Sequence, residues 1–184
     1  MSNKKTVFAE DNIWGNFLTT FLAFLASYCV GMLVGIVLTM PIRMIANGPS
    51  GVAEFLTCFL GAVVMLFILS RRRGYRNREF DAKKLVLSIL MTFAVQSLLV
   101  LVLGGHALWV NGPTMLLGSY VGEIMGLESE EIKQTVYILR WIFFVVAYAL
   151  IYTPAVIFGV HLGVKKRKKE SEEYLAEQNR IHNS

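Results

Sequence analysis

Between Phe17 and Met40 the chain runs without a single Asp, Glu, Lys, Arg or His. A helix needs about 20 such residues to cross a hydrocarbon core of roughly 30 Å, so this stretch reads as a membrane-spanning helix. Within it every fourth position is small or hydroxylated: Thr19, Ala23, Ser27, Gly31, Gly35 and Thr39, with mostly Phe, Leu, Val, Ile and Met between them. In lipid, helices gain little by hiding apolar surface from other apolar matter. Their association therefore depends on close backbone approach, which a small-xxx-small ridge permits. We expect another helix to lie in this groove, with Ser27, Gly31 and Gly35 at its centre.

Three further segments have the character of spans, giving 17–40, 53–70, 85–109 and 136–164 in all. The second is the shortest, because Glu54 leaves only Phe55 to Ser70 uncharged; it crosses if Glu54 sits among the outer headgroups. A chain of 184 residues that is 55% hydrophobic and 17% charged, with a mean hydropathy of +0.54, is too apolar for a soluble domain and too short for several membrane domains. The expected fold is an all-α integral membrane protein. Residues 13–164 form a four-transmembrane-helix bundle, 1–12 a cytoplasmic N-terminus and 165–184 a charged cytoplasmic tail.

Orientation follows from the basic residues flanking the spans. Lys4, Lys5, the seven between Arg71 and Lys84, the five from Lys165 to Lys169, and Arg180 fall on one side; only Arg43, Lys133 and Arg140 fall on the other. That is fifteen basic against eight acidic residues on one face and three against five on the opposite face. Both termini are expected inside the cytoplasmic membrane of a bacterium, with anionic lipids at the inner face as natural partners. The excess of positive charge is thus a topology signal, and we expect no nucleic-acid partner. The first apolar run is longer than a signal-peptide core and lacks a small-x-small site on its far side, so it should be an uncleaved anchor.

Asn12 is placed to cap the first helix, with Trp14 at the inner headgroup level and Pro41 near its end. Asn47-Gly48-Pro49-Ser50-Gly51 reads as a tight turn, which makes the first two helices antiparallel neighbours. The second carries its own ridge of Ala53, Thr57 and Gly61, the preferred partner of Gly31 and Gly35. Residues 71–84 read as a solvated basic loop in preference to an amphipathic segment on the inner leaflet. On the third helix Ser88, Thr92 and Gln96 form a polar stripe ending near mid-membrane, where Gln96 must point into the bundle or across an interface.

Residues 114–127 have helical apolar spacing, with Gly118, Gly122 and Gly126 on another line, but are too short to span. They form a short interfacial helix or a re-entrant one; Glu123 within the run favours the interfacial reading. Glu128, Glu130 and Glu131 around Ser129 suit a helix N-terminus, so the fourth helix should begin near Glu130. On it, Tyr137, Trp141, Tyr148 and Tyr152 share one sector, as an aromatic belt continued into packing or as a ligand wall. Pro154 should kink the helix and free the Leu150 carbonyl. Beyond it, Ala155, Gly159 and Gly163 form another close-packing ridge, followed by a charged tail that should extend the last span as a fraying helix. His161, just before the basic cluster, reads as interfacial rather than as a proton relay. Asn-Gly-Pro at both 47–49 and 111–113 hints at two related hairpins.

Cys29 and Cys58 lie within spans at similar depth and read as small apolar filler, although a disulfide is geometrically conceivable. No Cys/His spacing suggests zinc, and no cofactor motif is present. The ionisable residues Arg43, Glu54, His106, Glu123 and Arg140 map to the outer third, either as an outward polar vestibule or as separate interfacial residues. The expected function is that of a non-catalytic polytopic membrane subunit or scaffold, packed through Ser27, Gly31, Gly35, Gly61, Gly159 and Gly163, with a homo-oligomer or another membrane protein as partner. The alternative is a small transporter or channel whose polar path comprises Glu54, Gln96, His106 and Arg140. A membrane enzyme ranks third, because no nucleophile, paired carboxylates or metal cluster is apparent in the sequence.

Overall fold

The computed structural model describes residues 13–46, 51–76, 81–103, 138 and 141–182, and all its regular structure there is helical. Helix α1 is Ile13–Ala46, α2 is Gly51–Arg76 and α3 is Ala82–Leu103. The fourth helix, α4, is α-helical over 141–147, passes through a π-helical turn at Tyr148–Tyr152, and resumes as an α-helix over Thr153–His182. Each contains a stretch long and apolar enough to cross a membrane: Ile13–Pro41, Ala53–Arg76, Ala82–Val102 and Trp141–Ile181. The piece expected at 114–127, the start of the fourth helix near Glu130, and Tyr137 lie outside the described residues, as do both Asn-Gly-Pro stretches.

Three helices extend further than the apolar runs that announce them. α1 passes through Pro41 to Ala46 rather than ending there. Proline forfeits a single donor and its φ suits a helix, so a long helix can absorb one. α2 continues past Ser70 to Arg76, which places Arg71, Arg72, Arg73 and Arg76 on its last turns instead of in a loop. The tail, expected to fray, is regular helix to His182, supported by the i,i+4 pairs Lys166–Glu170 and Lys169–Glu173, each at 3.6 Å.

Buried positions recur at intervals of four. On α2 they are Glu54, Cys58, Ala62, Leu66, Ser70 and Gly74; on α3, Ser88, Thr92, Gln96 and Val100; on α4, Phe144, Tyr148, Tyr152, Val156 and Val160. Rows spaced at i±4 are the ridges that interdigitate in the class of helix pair crossing at about −40 to −50°. α2 is the common neighbour, packing on α1 along one flank and on α4 along another, while α3 packs on α1. Arg73, near the end of α2, bonds Asn16, near the start of α1, so these two helices are antiparallel. Tyr75 bonds Glu170 and so brings α4 to the same end. We call this the basic end.

Glycine permits the two closest approaches. A Cβ on Gly31 would meet the Ala62 nitrogen and the Cys58 carbonyl oxygen, both at 2.6 Å, and one on Gly35 would collide with Cys58. Gly61 faces Gly31 itself, its added Cβ lying 3.2 Å from the Gly31 Cα. Between α2 and α4, a Cβ on Gly159 would lie 2.8 Å from the Phe67 carbonyl oxygen and one on Gly163 2.7 Å from the Tyr75 nitrogen; one on Gly74 would strike Val160. At each of these sites backbone atoms occupy the space or stand behind the side chain that does, so rotamer changes alone cannot relieve the contact; at Gly61 the facing backbone is farther off, at 3.2 and 3.6 Å.

Candidate functional site

Midway along the bundle the four helices converge on rings. Phe24 stacks on Tyr148 at 4.9 Å between centroids, and Tyr28 meets Tyr152 at 5.4 Å. Phe59 of α2 closes on Tyr152 at 5.5 Å, and Phe93 of α3 on Tyr148 at 4.9 Å. The π turn sits at this level. Pro154 cannot donate to the Leu150 carbonyl, and its ring crowds the preceding turn. The preceding turn is widened, with Thr153 N–H donating to the Tyr148 carbonyl five residues back. The disturbance expected from Pro154 thus takes the form of a π turn, with Tyr148 and Tyr152 both buried on the inner face.

Tyr148 resolves its polarity by donating its hydroxyl to the Ile89 carbonyl at 2.9 Å. Its neighbours do not. Tyr28, Tyr152 and Gln96 are each fully buried, yet among the described residues no hydrogen bond of good geometry reaches either phenol oxygen or either atom of the carboxamide. Gln96 faces the Tyr28 hydroxyl, with the Tyr152 and Tyr148 phenols also nearby, without closing a bond of good geometry. Ser97 Oγ on the next position of α3 is likewise unsatisfied. A buried polar group left unpaired costs about 1–3 kcal/mol, and three such side chains together are a large fraction of a typical domain's stability.

Other inward-facing hydroxyls show how such groups are ordinarily satisfied. Ser88 donates to the Lys84 carbonyl at 2.7 Å and Thr92 to the Ser88 carbonyl at 2.8 Å, so the lower part of the α3 stripe is engaged within its own helix. Thr20, Ser27 and Thr39 do the same on α1, and Thr57 on α2. Gln96 is too long for that arrangement. Its period and depth mark it in the sequence; the two phenols beside it do not stand out, because a tyrosine in an aromatic sector reads equally well as packing.

The expected vestibule is only partly within view. Glu54 is buried at 7% exposure, inside protein rather than open to headgroups, whereas His106, Glu123, Arg140 and the Arg43 side chain lie outside the described residues. Cys29 and Cys58 are free thiols, and the buried Cys58 Sγ approaches the Met32 carbonyl at 3.8 Å. His161 is exposed.

At the basic end Arg73 is turned inward. Arg73 donates to Thr20 Oγ1 at 2.7 Å, to Asn16 Oδ1 at 2.6 Å and to the Asn16 carbonyl at 3.3 Å. Nearby, Tyr75 donates to Glu170 at 2.6 Å while the Lys166 ammonium lies 5.7 Å from the Tyr75 ring centroid. Comparison of the chain with family models, with curated proteins and with solved structures finds no match. What the fold and site define is a class: a helical bundle with four candidate membrane spans around an aromatic centre that holds unsatisfied polar groups.

Proposed function

We propose that this chain is a small transporter or channel for an uncharged, hydrogen-bonding solute, with Tyr28, Tyr152 and Gln96 as its mid-membrane site. One observation carries the reading: three fully buried polar side chains converge at the centre of the bundle with no hydrogen bond of good geometry to any described residue. Leucine or phenylalanine would pack there at no polar cost, so the groups are explained if water or a solute meets them in turn. An uncharged solute fits, because Glu54 is the only charged residue among the described buried ones and it lies toward the opposite end from Arg73. The orientation we adopt has both termini and residues 71–84 in the cytoplasm, and 42–52 and 110–135 outside, on the split of basic residues.

A subunit or scaffold role is the second reading, favoured by the helix that continues from Lys165 to His182 with its side chains largely exposed. The glycine ridges lend it less support than their spacing promises, since Gly31, Gly35, Gly61, Gly159 and Gly163 all face other helices of the same chain. Proteoliposomes decide between the two. Osmotic light scattering with small polyols, amides and urea should show entry of at least one solute faster than in protein-free vesicles, and Gln96→Leu should abolish it while staying folded. Wild-type vesicles indistinguishable from empty ones across the panel would overturn transport in favour of the second reading.

A further inference from the structure

Of the six described threonines, five donate their hydroxyl to a carbonyl four residues back: Thr19 to Gly15, Thr20 to Asn16, Thr39 to Gly35, Thr57 to Ala53 and Thr92 to Ser88. Thr153 is the exception, its hydroxyl making no hydrogen bond to any described residue. The acceptor four residues back would be the Ala149 carbonyl, and the π turn has altered that position too. The Thr153 N–H is spent on the Tyr148 carbonyl, and Pro154 has no N–H at all. The Ala149 carbonyl therefore lacks both the donor at i+4 that an α-helix would supply and the one at i+5 that a π-helix would. A hydroxyl and a carbonyl that would satisfy each other in a regular helix are left apart on one widened turn.

Ala149 and Thr153 both line a lateral groove of about 360 Å³ between α3 and α4, otherwise walled by side chains such as Val86, Leu90, Phe93 and Ile157. Its volume falls within the roughly 300–1,000 Å³ of small-molecule sites. Thr153 lies about 18 Å along α4 from Lys165 at 1.5 Å per residue, near the middle of a core roughly 30 Å thick, where water does not supply missing bonds. We propose that this groove binds an uncharged alcohol dissolved in the bilayer. The ligand hydroxyl donates to the Ala149 carbonyl and accepts from the Thr153 hydroxyl, and its alkyl chain lies along Val86, Leu90 and Ile157. A hydroxyl meets both needs through one oxygen, an ether only one of them and an alkane neither, while a charged head is disfavoured at this depth. The groove between α1 and α2 of about 420 Å³ has no such offer to make, because its Thr57 already donates to Ala53. Tyr148, whose own hydroxyl is spent on Ile89, stands between the α3–α4 groove and Phe24, so the site does not rest on transport through the bundle centre.

The test is photolabelling of the full chain in phosphatidylcholine vesicles with a diazirine-bearing octanol, the adducts being mapped by peptide mass spectrometry. Label should concentrate on residues 86–93 and 145–157. Excess octanol should displace it, whereas the isomeric 1-methoxyheptane, which accepts a hydrogen bond but donates none, should not. That comparison uses the wild-type chain and so does not depend on any variant folding. Thr153→Val, close in volume, should lower labelling of the groove about fivefold, as loss of one hydrogen bond implies, and Thr153→Ser should retain it. Pro154→Ala returns an N–H to the turn and lets Thr153 donate to Ala149, so it should lower labelling as well. Equal displacement by the ether, full labelling of Thr153→Val, or label that avoids α3 and α4 would each overturn the proposal.

Discussion

Gly31 and Gly61 face each other across α1 and α2, yet one added methyl group should have different consequences at the two. At Gly31 the new carbon lies 2.6 Å from the Ala62 nitrogen and the Cys58 oxygen, roughly 1 Å inside a relaxed contact, and two of its three nearest atoms are backbone. Neither can rotate away, so the helices must separate. Overpacking costs about 1–3 kcal/mol, and with two rigid backbone atoms struck at once the upper part of that range applies, about 2–3 kcal/mol; alanine's better helix propensity offsets about 1 kcal/mol, for a net loss of about 1–2 kcal/mol. At Gly61 the nearest atom is at 3.2 Å and the next at 3.6 Å, so a shift of a few tenths of an ångström suffices and Gly61→Ala should lie within about 0.5 kcal/mol of wild type. Cys58, fully buried at this contact, reports its opening through its rate of thiol modification in a Cys29→Ser background. Gly31→Ala should label about 5- to 30-fold faster than the parent, with Gly61→Ala and the exposed Val37→Leu unchanged. Equal rates for the two glycine variants would show that the close approach at Gly31 is absent from the membrane.

Two further outcomes follow from the same geometry. Tyr148→Phe removes the hydrogen bond to Ile89 and keeps the stacking on Phe24, so it should cost about 0.6 kcal/mol, a two- to threefold rise in the Cys58 rate; Tyr152→Phe, which deletes an unsatisfied hydroxyl, should cost nothing, and the reverse order would refute the assignment of partners. For orientation, Tyr75→Cys in a background lacking Cys29 and Cys58 should react with an impermeant thiol reagent only after intact cells are permeabilised, and labelling from outside would invert the proposed topology.

The apolar runs mark where four long helices lie, because in a membrane length and charge exclusion leave few alternatives. They are silent on how far each helix continues. Arg71 to Arg76 read as a loop because charge ends a span, but charge does not end a helix, and the last turns of α2 gain Arg73's bonds to Asn16 and Thr20. Pro154 announces a disturbance in α4 without saying whether it becomes a kink or a π turn. Gln96 is visible from its place in a polar stripe with a period of four. The failure of Tyr28 and Tyr152 to find acceptors is not, since satisfaction is a matter of ångströms between helices and has no sequence period.

That failure makes Gln96→Leu the most informative single change. With no solute present, the wild type carries an unpaired carboxamide and the variant does not, while the volume is nearly conserved. Removing the group should therefore stabilise the bundle by about 1–3 kcal/mol, slowing Cys58 modification in the Cys29→Ser background. A solute that binds the folded bundle stabilises the wild type by RT ln(1 + [L]/Kd), about 2.7 kcal/mol at a hundredfold excess over Kd. Wild-type stability should then climb with solute concentration while the variant's stays flat, so the two curves cross or meet within an accessible range. A variant less stable than wild type in solute-free detergent would mean that Gln96 already has a protein partner in the membrane. The centre of the bundle would then be an interhelical hydrogen bond rather than a site.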